Sequence, residues 1–180
     1  MAIKPRLIIL SDLWGREKAT WVEYYTKSLQ ATFSIHYYDS CELAQVDKTV
    51  YASENLHQQF VNGGIKIAAQ NLVQLETQNV FVLAFSVGGI IAWEAGLKGL
   101  NITYLYAISA TRLRYQKQPL GKRARLYFGK KDPYKPSQQW FDQMNFKANI
   151  LEYQGHELYR NQEFASNLCQ QVQNDFTIIS

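Results

Sequence analysis

Two stretches of the chain are apolar at nearly every position: Arg6-Leu-Ile-Ile-Leu10 and Val80-Phe-Val-Leu-Ala-Phe85. A strand exposed on one face alternates apolar and polar residues, whereas a strand covered on both faces does not, so both runs predict central strands of a parallel sheet. Between them the pattern predicts a helix around Thr20 to Gln30, a shorter strand from Phe33 to Tyr38 and a second helix from about Ile65 to Leu75. In that second helix Ile65, Ala68, Ala69, Leu72 and Leu75 recur at three- and four-residue spacing. Beyond residue 86 come a helix near Gly89 to Lys98, strands Ile102 to Ile108 and Ala124 to Phe128, and a helix from about Pro136 to Met144. A last strand at Asn149 to Tyr153 leads into a C-terminal helix near Glu163 to Phe176. Six strands separated by helices predict an α/β fold with a doubly wound, mostly parallel six-stranded sheet. Such sheets bind ligands beyond the carboxyl ends of their strands, which directs attention to the residues just after each strand.

Strand Val80 to Phe85 runs into Ser86-Val87-Gly88-Gly89 and then directly into a helix, which puts Ser86 on a tight strand-to-helix turn. Ala84 and Gly88, two positions to either side, are as small as such a turn requires. The turn lifts the serine toward a ligand, beside the N–H of Val87 and a helix N-terminus that stabilises negative charge. Strand Ala124 to Phe128 ends in Gly129-Lys-Lys-Asp132-Pro, and strand Asn149 to Tyr153 ends in Gln154-Gly155-His156. Singly, each has a plain reading: a helix N-cap serine, an Asp-Pro turn entering a helix, an exposed loop histidine. Together they supply a nucleophile, an acid and a base in the order Ser, Asp, His, each just after its own strand and all at one edge of the sheet.

Through Ala-Phe-Ser86-Val-Gly as nucleophile elbow, Gly-x-x-Asp132-x-x-x-Pro as acid loop and Gly-His156 as base, the chain resembles the α/β-hydrolase family from residue 6 to its end. The resemblance implies a minimal member. The 46 residues from Ser86 to Asp132 are filled by a helix, two strands and one connection, which leaves no room for a lid, and the start of the first strand at residue 6 leaves none for the two leading strands of longer members. It further implies that His156 takes the Ser86 hydroxyl proton while Asp132 holds the imidazole tautomer. The oxyanion hole would combine the N–H of Val87 with one from the loop Ser11-Asp12-Leu13-Trp14-Gly15, Leu13 being the first choice and Trp14 the alternative register. Two positions depart from the family pattern: Ala84 replaces a glycine, and Ser11-Asp12 replaces a His-Gly dipeptide, bringing a carboxylate near a developing oxyanion. An Asp12 turned onto its own loop backbone would accommodate that charge. The implied function is a serine hydrolase that cleaves a carboxylic ester or thioester through an acyl-enzyme on Ser86, with no metal or organic cofactor. Two other functions stay open: a binding module that keeps the fold with a vestigial triad, motivated by Ser11-Asp12, and a peptidase-like activity on short amides.

The 180 residues hold no Gly/Ser-rich linker, low-complexity tract or internal repeat, and read as one domain over residues 1–180. A composition 47% hydrophobic and 19% charged excludes a disordered chain, and no apolar run approaches the ~20 residues of a membrane span. The short run Leu7 to Leu10 after Met1-Ala-Ile-Lys lacks the apolar length of a signal peptide, so the expected compartment is the cytoplasm. Cys41 and Cys169 stand far apart and outside metal or redox spacing, which makes them ordinary thiols. The net charge of +4 is local, because Ala110 to Lys131 hold eight of the 19 basic residues and no acidic one, leaving 11 basic against 15 acidic elsewhere. That distribution argues against a nucleic-acid partner and for one basic rim, Arg112 to Arg125, where a lid would otherwise emerge. Arg112, Arg114 and Trp14 are the candidates to line the substrate pocket. The expected partner is a small-molecule or carrier-bound acyl substrate, anionic if the rim steers it; a solvated basic loop is the alternative. His36 and His57 have no ligand-spaced partners and predict no metal site. Asp39 reads as a turn residue, Gly63-Gly64 as a helix start or break, and Trp21-Val-Glu-Tyr-Tyr25 as one packing face of a helix.

Overall fold

Along β1 (Arg6–Leu10) and β3 (Val80–Phe85) successive side chains enter two different cores, which is why neither run alternates with polar residues. Ile8, Leu10, Val82 and Ala84 face one core, and Leu7, Ile9, Phe81, Leu83 and Phe85 face the other. Full burial of each large aliphatic or aromatic side chain contributes about 1.5–3 kcal/mol. The computed structural model describes residues 4–121 and 123–179. Its other strands are β2 (Ser34–Tyr38), β4 (Ile102–Ile108), β5 (Ala124–Gly129) and β6 (Ala148–Leu151). They pair in the order β2-β1-β3-β4-β5-β6, every pairing parallel, so the sheet is doubly wound with β2 and β6 as half-exposed edges.

The helices divide between the two faces as the apolar positions direct. With α1 (Val22–Leu29), the C-terminal helix α7 (Gln162–Ile179) buries Tyr25, Leu29, Phe164, Leu168 and Val172 on one face. On the other lie α2 (Ser40–Leu43), α4 (Ile65–Leu75), α5 (Val87–Leu97) and α6 (Gln138–Met144), with Trp93 and Trp140 in their core. From β1 the chain steps outward to β2 and then crosses back to β3 on the far side of β1. The direction of winding therefore reverses between β1 and β3, and their carboxyl ends flank the crevice where such sheets bind ligands.

Two segments differ from the expectations. Residues 39–64, which carry no clear period, fold into α2, α3 (Ser53–Gln59) and a wide turn Phe60–Gly64 that kinks at Asn62 and Gly63 before α4 begins. The basic stretch is not a single rim beside the crevice. After a 3-10 turn Thr111–Tyr115 at the carboxyl edge, the chain must return to the opposite edge to start the parallel strand β5. Among the described arginines of this stretch, Arg112 and Arg114 stay at the crevice. Arg123 lies with Asn79, Asn101 and Ile179 at the amino edge, and Arg125 pairs with the buried Asp175 of α7 at 2.8 Å. Lys122 of the same stretch, Met1–Ile3 and Ser180 fall outside the described residues. Among the described residues no helix is long and apolar enough to cross a membrane.

Candidate active site

Ser86 occupies a backbone conformation, φ 51° and ψ −115°, that an L-residue adopts only when its surroundings enforce it, at a cost of about 1–3 kcal/mol. The enforcement is visible on both sides. Its N–H donates to the carbonyl of Ile108 at 2.8 Å, and α5 starts at the next residue with its first turn pressed against the end of β1. A Cβ added at Gly88 would stand 2.6 Å from the carbonyl oxygen of Ser11, so only glycine lets the two elements approach this closely. The side chain makes no capping bond to α5; its hydroxyl lies 2.9 Å from Nε2 of His156 instead. Ser86 thus holds the N-cap position of α5, but its side chain bonds to His156 and does not cap the helix.

The opposite nitrogen of His156, Nδ1, lies 2.7 Å from a carboxylate oxygen of Asp132, whose other oxygen accepts the N–H of Tyr134 at 3.0 Å. Burial of the Asp132 side chain raises its pKa, but the bonds from His156 and Tyr134 outweigh this and hold it below the ordinary carboxylate value. The loop carrying His156 is clamped from two directions. Ser109, at φ 52° just beyond β4, donates its hydroxyl to the carbonyl of His156 at 2.5 Å. At Gly129 any Cβ would run into the carbonyl oxygens of Gln154 and Gly155, so the last residue of β5 must be glycine for the loop to cross it. Gly129→Ala is expected to cost about 1–3 kcal/mol through this overpacking, read by urea unfolding; a wild-type midpoint would show that the loop crosses β5 less tightly.

The loop after β1 answers the question raised by Asp12. Its carboxylate is fully buried and turned away from the crevice: one oxygen accepts the N–H of Trp14 at 3.0 Å, and the other accepts the hydroxyl of Tyr159 at 3.0 Å and the guanidinium of Arg160 at 3.2 Å. Burial pushes the Asp12 carboxyl up, and these three donors pull it back only in part. With the Trp14 N–H occupied, the alternative oxyanion register through Trp14 is closed. Leu13 N–H meets no acceptor among the described residues, and Val87 N–H is at the first position of α5, where helix geometry offers none. Trp14 is also corrected as a pocket residue: its ring packs edge-on against Tyr51 at 5.4 Å with Lys18 Nζ 3.6 Å from its centre, and it is not in the cavity wall. Beneath the loop, the buried Cys41 donates its thiol to the carbonyl of Leu13, and burial pushes that thiol up to about 12.

A cavity of about 610 Å³ opens over Ser86 and His156. Leu13, Phe60, Val87, Pro133 and Tyr134 give it an apolar surface, and Arg112, Arg114, His57 and Glu54 also line it. Helix α3 and the turn behind it, absent from the sequence-based picture, supply His57, Glu54 and Phe60. Nothing local marks those residues; the long connection from β2 to β3 was the sole available signal. Ser109 was within reach of sequence reasoning, since it directly follows a strand at the carboxyl edge. Among the described residues no group of three or more His, Cys, Asp or Glu side chains could hold a metal ion.

No family model matches the sequence, and no curated protein does either. Solved structures do match. A Xanthomonas campestris protein assigned to the alpha/beta superfamily of hydrolases aligns over 96% of this chain and 99% of its own with a TM-score of 0.67 at 15% identity. A hydrolase from Oleispira antarctica aligns over 97% and 92% with a TM-score of 0.62 at 14% identity. A dienelactone hydrolase-like promiscuous phosphotriesterase from metagenomic libraries covers 97% and 87% with a TM-score of 0.62 at 13% identity. With six parallel strands wound about β1 and β3, helices on both faces and these structural relatives, the chain has the α/β-hydrolase fold.

Proposed function

We propose that the protein is a serine hydrolase that cleaves carboxylic esters or thioesters through an acyl-enzyme on Ser86. The observation that carries this reading is the continuous hydrogen-bonded line from Ser86 Oγ to His156 at 2.9 Å and from His156 to Asp132 at 2.7 Å, placed at the switch point of the sheet. His156 Nε2 takes the hydroxyl proton as Ser86 Oγ bonds to the carbonyl carbon. The tetrahedral oxyanion sits between the N–H groups of Leu13 and Val87, and its collapse expels the alcohol or thiol, which leaves with the proton from His156. Water then repeats the sequence on the acyl-enzyme, releasing the acid and restoring the serine. Asp132 stays ionised throughout and favours the imidazolium that forms between the two transfers.

The turned-away Asp12 takes from the binding-module alternative the feature that motivated it. A fluorophosphonate probe separates the two readings: a single adduct located on Ser86 by mass spectrometry supports the hydrolase, and no adduct on folded protein supports the binding module. A second prediction concerns pH. Since the base must begin unprotonated to take the Ser86 proton, kcat/KM is expected to rise with pH and level off. Asp132, held low, remains charged over that range and adds no second inflection there. A rate independent of pH between about 5 and 9 removes histidine as the base. Short peptide amides turning over faster than esters of the same acyl group would move the assignment to a peptidase.

A further inference from the structure

We propose that Arg112 and Arg114, with His57 facing them, form a subsite for an anionic group, carboxylate or phosphate, carried by the ester or thioester substrate. The inference rests on the hydrolase reading above and names its substrate class.

Three of the other five arginines show what this chain does with a guanidinium that serves the fold, while Arg16 and Arg123 are exposed. Arg6, Arg125 and Arg160 each meet a buried carboxylate, Glu76 at 2.6 Å, Asp175 at 2.8 Å and Asp12 at 3.2 Å. Arg112 and Arg114 sit half-buried in the wall of the cavity, and among the described residues no carboxylate lies within ion-pair distance of either. Glu54 in the cavity wall is exposed, and Glu94 lines the adjoining groove with Arg112; neither comes within ion-pair distance of either guanidinium.

Arg114 is nevertheless held in place, and Arg112 lies beside an aromatic ring. Arg114 donates to the carbonyls of Thr111 at 2.9 Å and Tyr134 at 3.3 Å and to the Tyr115 hydroxyl at 2.8 Å, which leaves two of its five N–H donors uncommitted. Arg112 lies 4.9 Å from the centre of the Tyr115 ring and donates to no acceptor among the described residues. Arg114, fixed by aromatic rings and backbone carbonyls, has already lost much of the rotamer freedom that ligand binding would otherwise remove.

The field at this wall is positive. Partial burial and the charges of Arg112 and Arg114 together lower the pKa of His57, so the imidazole facing them is disfavoured as a cation and available as a neutral donor. Leu13, Phe60, Val87, Pro133 and Tyr134 supply apolar surface beside them, where a charge-assisted hydrogen bond is stronger than in water. The space fits a bifunctional substrate. The cavity reaches from Ser86 to both arginines, and beyond the shared residues Phe60 and Arg112 a groove of about 390 Å³ continues along α4.

The test compares three activated esters of similar length: mono-4-nitrophenyl glutarate, 4-nitrophenyl 4-phosphonobutanoate and neutral 4-nitrophenyl pentanoate. The wild type is expected to favour an anionic ester over the neutral one by tenfold or more in kcat/KM at low salt. Arg112→Gln is expected to erase most of that ratio and Arg112→Lys to restore part of it. The anion with the larger ratio identifies the group the subsite takes. Calorimetric binding of mono-4-nitrophenyl glutarate and of the pentanoate ester to Ser86→Ala reads the same preference without turnover, and Arg112→Gln in that background is expected to abolish it. Equal kcat/KM for all three esters in the wild type, with equal binding to Ser86→Ala, overturns the subsite and leaves the hydrolase reading intact. Selective anion binding to Ser86→Ala, with no wild-type hydrolysis of any of the esters, overturns the hydrolase reading and leaves the subsite standing.

Discussion

Ser86→Ala is expected to lower esterase kcat by about 10⁴- to 10⁶-fold, the range seen when a serine nucleophile is removed from an intact catalytic unit. Folding should be nearly untouched, because the hydroxyl makes its one side-chain hydrogen bond to His156 and none to the helix it precedes. The sharper part of the expectation is non-additivity. His156 and Asp132 act on the reaction through the Ser86 hydroxyl, so adding His156→Gln or Asp132→Asn to Ser86→Ala should cost little more. Single-turnover assays with an activated ester measure both quantities. Losses that multiply across the double variants would mean that the three residues do not work as a unit, and a variant that keeps wild-type turnover would place the nucleophile elsewhere.

The second large effect belongs to Asp12. Its carboxylate ties the loop after β1 to the segment that follows His156, accepting from Trp14, Tyr159 and Arg160 with no exposure to solvent. Asp12→Ala leaves the buried Tyr159 hydroxyl without its acceptor and strips Arg160 of one of its two carboxylate partners, Glu157 at 3.3 Å being the other. The expected cost is about 2–4 kcal/mol, at the lower end because the Arg160 side chain is 30% exposed and can recruit water. It should also release the Trp14 N–H, and with it the fixed direction of Leu13 N–H. An oxyanion donor acts in the transition state, so kcat should fall by about 10- to 100-fold with KM little changed. Asp12→Asn, which keeps a carbonyl oxygen for Trp14, should recover kcat more fully than stability. Urea unfolding and Michaelis kinetics on the two variants decide it; wild-type values in both for Asp12→Ala would refute the role of this carboxylate.

What could be read from the chain in advance followed from burial on both faces. The runs at β1 and β3 are apolar throughout because each residue enters a core, and the residues that end such strands are fixed in space as soon as the sheet is drawn. That is how Ser86, Asp132 and His156 could be grouped without coordinates. The elbow was legible for a second reason, since Ala84 and Gly88 stand where larger side chains clash. Residues 39–64 were not legible, because α2 and α3 are too short to establish a period and the kink at Asn62 and Gly63 interrupts the phase before α4. His57 was therefore weighed only as a metal ligand, and its place opposite Arg112 and Arg114 depends on how that irregular stretch folds back. The basic rim misled for a topological reason. Charge counted along the sequence takes no account of a crossover that carries Arg123 and Arg125 to the far edge of the sheet. Trp14 and Leu13 differ by one residue, and only the bond from Trp14 N–H to Asp12 separates them.

The bond between Asp12 and Tyr159 joins positions 147 residues apart. Chain-closure entropy for such a contact is met only after nearly all of the intervening chain is ordered. During synthesis on a ribosome, β1 and its loop emerge long before Tyr159, so the nascent chain carries Ser86 on its elbow while the loop that would direct Leu13 N–H lacks the Tyr159 and Arg160 partners of Asp12. Competence is thus conferred by a later stretch of polypeptide acting on an earlier one, and a chain stalled before residue 159 would carry the nucleophile without being able to use it.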